Sequence, residues 1–109
     1  MIINNPEILL KNTDCETLEE IRVISLRSQQ ITQALKLLGR CENLTILYLQ
    51  NNMLNEKDLN NLANFANLKK LDLSDNKLET LPTAKVFSGL TKLQFFYLHN
   101  NNISKWQDL

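Results

Sequence analysis

Residues that usually carry chemistry are scarce in this chain of 109 residues, which contains one histidine, two cysteines, two glycines and two prolines. The lone His99 has no nucleophile, orienting acid and oxyanion site converging with it, so no relay and no His-dependent metal site is expected. Cys15 and Cys41 form neither a CxxC pair nor a Cys/His cluster at metal-ligand spacing. No glycine-rich loop is present to cradle a phosphate. Charge of one sign is also missing: twelve basic and twelve acidic residues give a formal net charge of +0. The basic side chains, from Lys11 to Lys105, are scattered, which argues against direct nucleic-acid contact or attraction to an anionic membrane. No apolar run approaches a bilayer-spanning length, and the opening MIINNPEILLKNTDCE lacks the basic and continuous apolar regions of a secretory signal. A cytoplasmic setting with reduced, buried thiols is therefore expected. No enzyme activity, cofactor, metal or small-molecule substrate is expected.

What the chain does have is leucine in a pattern. Hydrophobic residues make up 43% and charged residues 22%, the range of a soluble globular domain. In Leu68 to Leu78, LKKLDLSDNKL, apolar residues fall at offsets 0, 3, 5 and 10 and an asparagine at offset 8. The centre, Leu71-Asp72-Leu73, alternates, so a short strand would place both leucines on one face. The same pattern recurs at Leu44, Leu47, Leu49, Asn52 and Leu54, and at Leu93, Phe96, Leu98, Asn101 and Ile103. A less regular copy runs from Ile21 to Ile31, with Gln29 at the asparagine position. The starts at 21, 44, 68 and 93 step by 23, 24 and 25 residues, the signature of stacked coils.

Between the copies lie connectors with apolar residues three and six positions before each start: Leu18 and Cys15, Cys41 and Leu38, Phe65 and Leu62, Leu90 and Phe87. These predict inward packing. Helix signals accompany them: Thr32 before Gln33 to Leu38, Asn55 with Asp58 three residues on, and Thr83 before Ala84 to Phe87. Gly39 and Gly89 stand where a helix end with positive φ is wanted. At the amino terminus, Asn5-Pro6 predicts a short helix over Pro6 to Lys11 that covers the first coil. After Ile103, Trp106 stands where Leu81 stands one coil earlier. The sequence leaves three outcomes for that end: Trp106 and Leu109 fold over it, the natural chain continues, or a partner covers it.

The motif LxxLxLxxNxL resembles that of the leucine-rich repeat superfamily, from about Leu18 to Ile103. The resemblance implies an α/β solenoid, a right-handed β-α superhelix with a short parallel sheet on its concave face and helical or irregular convex segments. It makes residues 1–109 a single domain, with residues 1–20 as an amino-terminal helical cap and coils starting near 21, 44, 68 and 93, its carboxyl end being truncated or extended in nature. The connectors resemble intracellular members, because the cysteine-rich flanks of extracellular ones are absent. TLPTAKVFSGLTKLQFFYLHNNNI, from Thr80 to Ile103, is similar to the corresponding repeat of the leucine-rich repeats and IQ motif-containing proteins. That implies a cytoskeletal or ciliary setting, but no IQ motif follows here, so no calmodulin link carries over.

Within such a coil, Asn52, Asn76 and Asn101 form an inward ladder bonded to the backbone of neighbouring turns, a structural role. The outward positions build rows, Val23/Ile46/Lys70/Phe95 beside Ser25/Tyr48/Asp72/Tyr97, with Arg27, Gln50, Ser74 and His99 and then Ser28, Asn51, Asp75 and Asn100 beyond. Aromatic residues with polar tips on a rigid sheet have the composition of an interface. Ile46, Tyr48, Lys70, Asp72, Phe95, Tyr97 and His99 are the candidate partner-binding residues. The alternative reading is that Ile46, Tyr48 and Tyr97 only shield the sheet. The function read from this is a non-catalytic scaffold that binds a protein on the concave face. Competing readings are a regulatory subunit of an enzyme such as a phosphatase or GTPase, and a ribonucleoprotein component that grips a protein.

Overall fold

The computed structural model describes residues 1–106. The alternating centre of each copy forms a three-residue strand: β1 Val23–Ser25, β2 Ile46–Tyr48, β3 Lys70–Asp72 and, after a two-residue strand β4 Thr80–Leu81, β5 Phe95–Tyr97. Strands β1, β2, β3 and β5 pair in parallel in that order. The register keeps like positions opposite one another: Val23 faces Ile46, Ile46 faces Lys70, and Lys70 faces Phe95. Ladder bonds continue past the strands, where Leu26 N donates to Tyr48 O at 2.8 Å, Leu49 N to Asp72 O at 2.9 Å and Leu73 N to Tyr97 O at 2.9 Å.

The inward residues explain why so short a strand persists. Ile24, Leu26, Leu47, Leu49, Leu71 and Leu73 are buried, together with Leu44 and Leu68 at the pattern's first position. Each such side chain contributes roughly 1.5–3 kcal/mol by leaving water. The core is closed from behind by the connectors, in which α2 Leu35–Leu38 and α3 Ala84–Phe87 both pack against a 3₁₀ segment, Glu56–Asn64. In the last coil the equivalents Leu93, Phe96, Leu98 and Ile103 are only partly buried.

At the amino terminus α1 spans Pro6–Lys11, as its sequence signals indicate, and the Asn5 side chain accepts from Glu7 N at 3.0 Å. Ahead of it lies a contact that no sequence signal announces. Met1–Ile3 runs alongside Gln30–Gln33: the terminal amine donates to Gln30 O, Thr32 N to Met1 O and Ile3 N to Gln33 O, each at 2.7 Å.

Several local expectations are corrected. The second connector does not start its helix at Thr32; α2 begins at Leu35 after Ala34, which has no side chain of its own to cap it. Asp58 does that work from the next coil, its Oδ2 accepting from Ala34 N and Leu35 N at 2.9 and 3.0 Å. It does not reach back to its own helix start, where Asn55 Oδ1 accepts from Lys57 N. Thr83 likewise precedes α3 without a side-chain cap bond. Neither glycine has positive φ. Gly89 is required for space instead, because a Cβ there would stand 2.5 Å from Ala63 O of the preceding connector. The left-handed positions fall on Ser28, Asn51, Asp75 and Asn100, one per coil just before the ladder position, and on Gln30 and Lys77.

Cys41 is buried but Cys15 only partly so, and both are free thiols. Beyond Ile103 the chain forms a further two-residue strand, β6 Lys105–Trp106, which pairs in parallel with β4 and sets Trp106 opposite Leu81. Leu109 lies outside the described residues.

Candidate functional site

A sheet so regular in register turns every second residue of four strands toward one side. Tyr48, Asp72 and Tyr97 stand opposite one another in one row, and Ile46, Lys70 and Phe95 in the next. Ile46, Tyr48, Lys70 and Asp72 are half-buried on the central strands, whereas Phe95, Tyr97 and His99 are exposed on the last coil. Val23 and Phe95 are large apolar residues left 51% and 53% exposed, and Tyr97 is 38% exposed.

The centre of the face is organised by Lys70. Its Nζ lies 5.2 Å from the ring centroid of Tyr48 and 5.6 Å from that of Tyr97. Both distances are within the range where a ring face attracts an ammonium, worth about 0.5–1 kcal/mol at an exposed site. Lys70 therefore fills the gap between two tyrosines that stand two strands apart, and the rings and ammonium hold one another in place. His99 extends the cluster edge-on to Tyr97 at 6.5 Å.

Asp72 is held separately. Its Oδ1 accepts from Ser74 N at 3.0 Å and from Ser74 Oγ at 2.6 Å. Ser74, expected to point outward, is consequently buried. The arrangement offers apolar and aromatic area, one fixed cation and one fixed carboxylate. No group of three or more His, Cys, Asp or Glu side chains among the described residues could hold a metal ion.

Behind the face runs the asparagine ladder. Asn52 Oδ1 accepts from Gln29 N and Ile31 N at 3.0 Å each, while its Nδ2 donates to Leu26 O and Leu49 O. Asn76 Nδ2 donates to Leu49 O and Leu73 O, and its Oδ1 accepts from Leu54 N. Asn101 Oδ1 accepts from Asn76 N and Leu78 N. Asn52 and Asn76 are buried and Asn101 is half-buried, as the last in the series. Gln29, at the equivalent place in the first coil, sends its side chain to Asn12 Oδ1 at 3.2 Å, tying the coil to the end of α1.

The residues that build this sheet and ladder lie largely within 42–103, the stretch that matches the family described as "Leucine rich repeat". The chain belongs to the leucine-rich repeat family. Relatives include the leucine-rich repeat and IQ domain-containing protein 3 of Mus musculus, 38% identical over 72 residues, covering 66% of this chain and 11% of the relative. The Homo sapiens protein of the same name is 33% identical over 72 residues with the same coverage. The chain therefore corresponds to a small part of these relatives, about a tenth of their length. No solved structure matches this leucine-rich repeat chain. Among the described residues, no helix is long and apolar enough to cross a membrane.

Sequence reasoning found the members of the face and their rows. It missed the tie between Lys70 and both tyrosines, for which the only available signal was their adjacency across the expected register. Asp72 stands between the two tyrosines in the row, and the Lys70 ammonium from the neighbouring row approaches both rings.

Proposed function

We propose that the chain is a non-catalytic protein-interaction module that binds a protein partner through the outward face of its four-stranded sheet. Repeat proteins of this family generally mediate protein–protein interaction, and stacked coils create extended binding surfaces. The observation that carries the reading is the Lys70 ammonium seated over both Tyr48 and Tyr97, with exposed Phe95 alongside. Pre-ordered aromatic side chains lose little conformational freedom on binding, and such residues dominate interface energetics. In this proposal the coils form a solenoid whose sheet is the concave side, and α1 with the segment up to residue 20 caps the first coil.

The proposed setting is cytoplasmic, supported by the two free thiols. A cytoskeletal or ciliary assembly is the setting that the resemblance suggests, and imaging of the tagged full-length protein tests it. For the face itself, the test is affinity capture with the intact chain beside Tyr48→Ala/Tyr97→Ala, followed by direct titration of each purified candidate. The expected result is at least tenfold weaker binding by the double variant, with a thermal midpoint close to that of the parent. Equal binding by both forms refutes the face as the site.

A further inference from the structure

We propose that a second site, a cleft on the connector side between the amino-terminal segment and α2, binds a small organic anion: a carboxylate, sulfonate or phosphate group on an apolar body. The cleft has a volume of about 620 Å³, within the roughly 300–1,000 Å³ usual for small-molecule sites. It exists because Ile2 pairs with Gln33 and so raises a wall beside the helix. That wall and the floor are apolar: Ile2 is half exposed, while Ala34 and Leu37 are buried beneath.

Three cations line the same space. Lys36 belongs to α2, Arg40 follows its C-cap Gly39, and Lys57 comes from the start of the next connector. Asp58 is the only carboxylate among the lining residues, and it is turned inward. It is 7% exposed, and its Oδ2 is occupied by the backbone N–H groups of Ala34 and Leu35. Glu56, the neighbour of Lys57, is engaged elsewhere, with its carboxylate accepting from Glu79 N and Thr80 Oγ1 at 2.9 Å each.

The combination selects the ligand class. A neutral apolar molecule would cover Lys36, Arg40 and Lys57 without compensating their lost hydration, and a bare inorganic anion would leave the apolar floor wet. An anionic head with an apolar body satisfies both parts, with the head at the cations and the body against Ile2 and Leu37.

The test is titration of the isotope-labelled full chain with anilinonaphthalene sulfonate, beside its neutral counterpart N-phenylnaphthylamine, followed by amide NMR and fluorescence. Saturable one-to-one binding is expected, with the largest shifts at Ile2, Ala34, Leu37 and Asn61. Lys36→Glu/Arg40→Glu should weaken it at least tenfold, Lys85→Glu on α3 should leave it unchanged, and octanoate should compete. Lys36→Gln/Arg40→Gln should give an intermediate loss, and the thermal midpoint of each variant shows that the fold is retained. Equal binding of the neutral compound, or shifts centred on Phe96 and Ile103 at the last coil, would overturn the proposal. So would absence of saturation. Displacement by an acidic peptide but not by octanoate would overturn the small-ligand assignment.

Discussion

Replacing Asn52 with alanine tests the idea that the ladder is structural. The side chain is 4% exposed and joins two coils through bonds to Gln29 N, Ile31 N and Leu26 O while also fixing Leu49 O of its own turn. Leu49 O keeps a second donor in Asn76 Nδ2, at 3.0 Å, and Gln50 O, which Asn52 Nδ2 also reaches at 3.3 Å, keeps Ser28 N at 3.1 Å. The alanine variant therefore removes the side-chain partner from two N–H groups and one carbonyl. A buried group left unsatisfied costs about 1–3 kcal/mol. Gln29 is half-buried, so water recovers part of its share, and the total comes to about 3 kcal/mol. With a urea slope near 2 kcal/mol per molar for a chain of this size, the unfolding midpoint should fall by about 1.5 M. Circular dichroism through a urea series reads this directly. Asn101→Ala should give a clearly smaller shift, because Asn101 is half-buried at the end of the series. A fall below about 0.5 M for Asn52→Ala, equivalent to ~1 kcal/mol, or equal shifts for both variants, would refute the reasoning.

Other outcomes follow from single contacts. Gly89→Ala should destabilise the fold by about 1–3 kcal/mol through the clash with Ala63 O, whereas Gly39→Ala, at φ −61° with its nearest contact at 3.3 Å, should change the thermal midpoint little. The backbone N–H of Glu79, and then the Thr80 hydroxyl, hold the Glu56 carboxyl below its ordinary value of 4.5. Its small stabilisation is thus present above that ordinary value and lost as pH falls through the lower folded value. NMR titration of the carboxyl should show the depression, and Thr80→Val should reduce it. Burial, and then Glu19, pushes the Cys41 thiol up to about 11, so a disulfide reagent should modify Cys15 first and Cys41 only when denaturant opens the core; equal rates would contradict this.

The repeat was legible because strand periodicity and coil length are both written in residue order. Leucines at fixed offsets announce which side chains turn inward, and the 23-to-25-residue step then fixes which residues become neighbours across the sheet. Thus the row of Tyr48, Asp72 and Tyr97 follows from residue order alone. Interactions that cross between coils outside the repeated pattern were not legible. Asp58 looks like a local capping residue and caps the preceding coil instead, because Ala34 offers no side-chain oxygen there. Gly89 looks like a left-handed terminator, but its constraint comes from Ala63, distant in sequence. The Met1–Ile3 pairing depends on backbone bonds that no side-chain pattern announces.

The parallel register also governs how the molecule comes apart. Every strand pair joins residues 23 to 25 positions away, so each must close a loop of one full coil before any bond forms. Once one pair exists, the next coil can add to a ready edge, and assembly proceeds as a zipper. Opening runs the other way and begins where a coil has a neighbour on one side only. Strands β2 and β3 are held from both sides and form the kinetic anchor of the sheet.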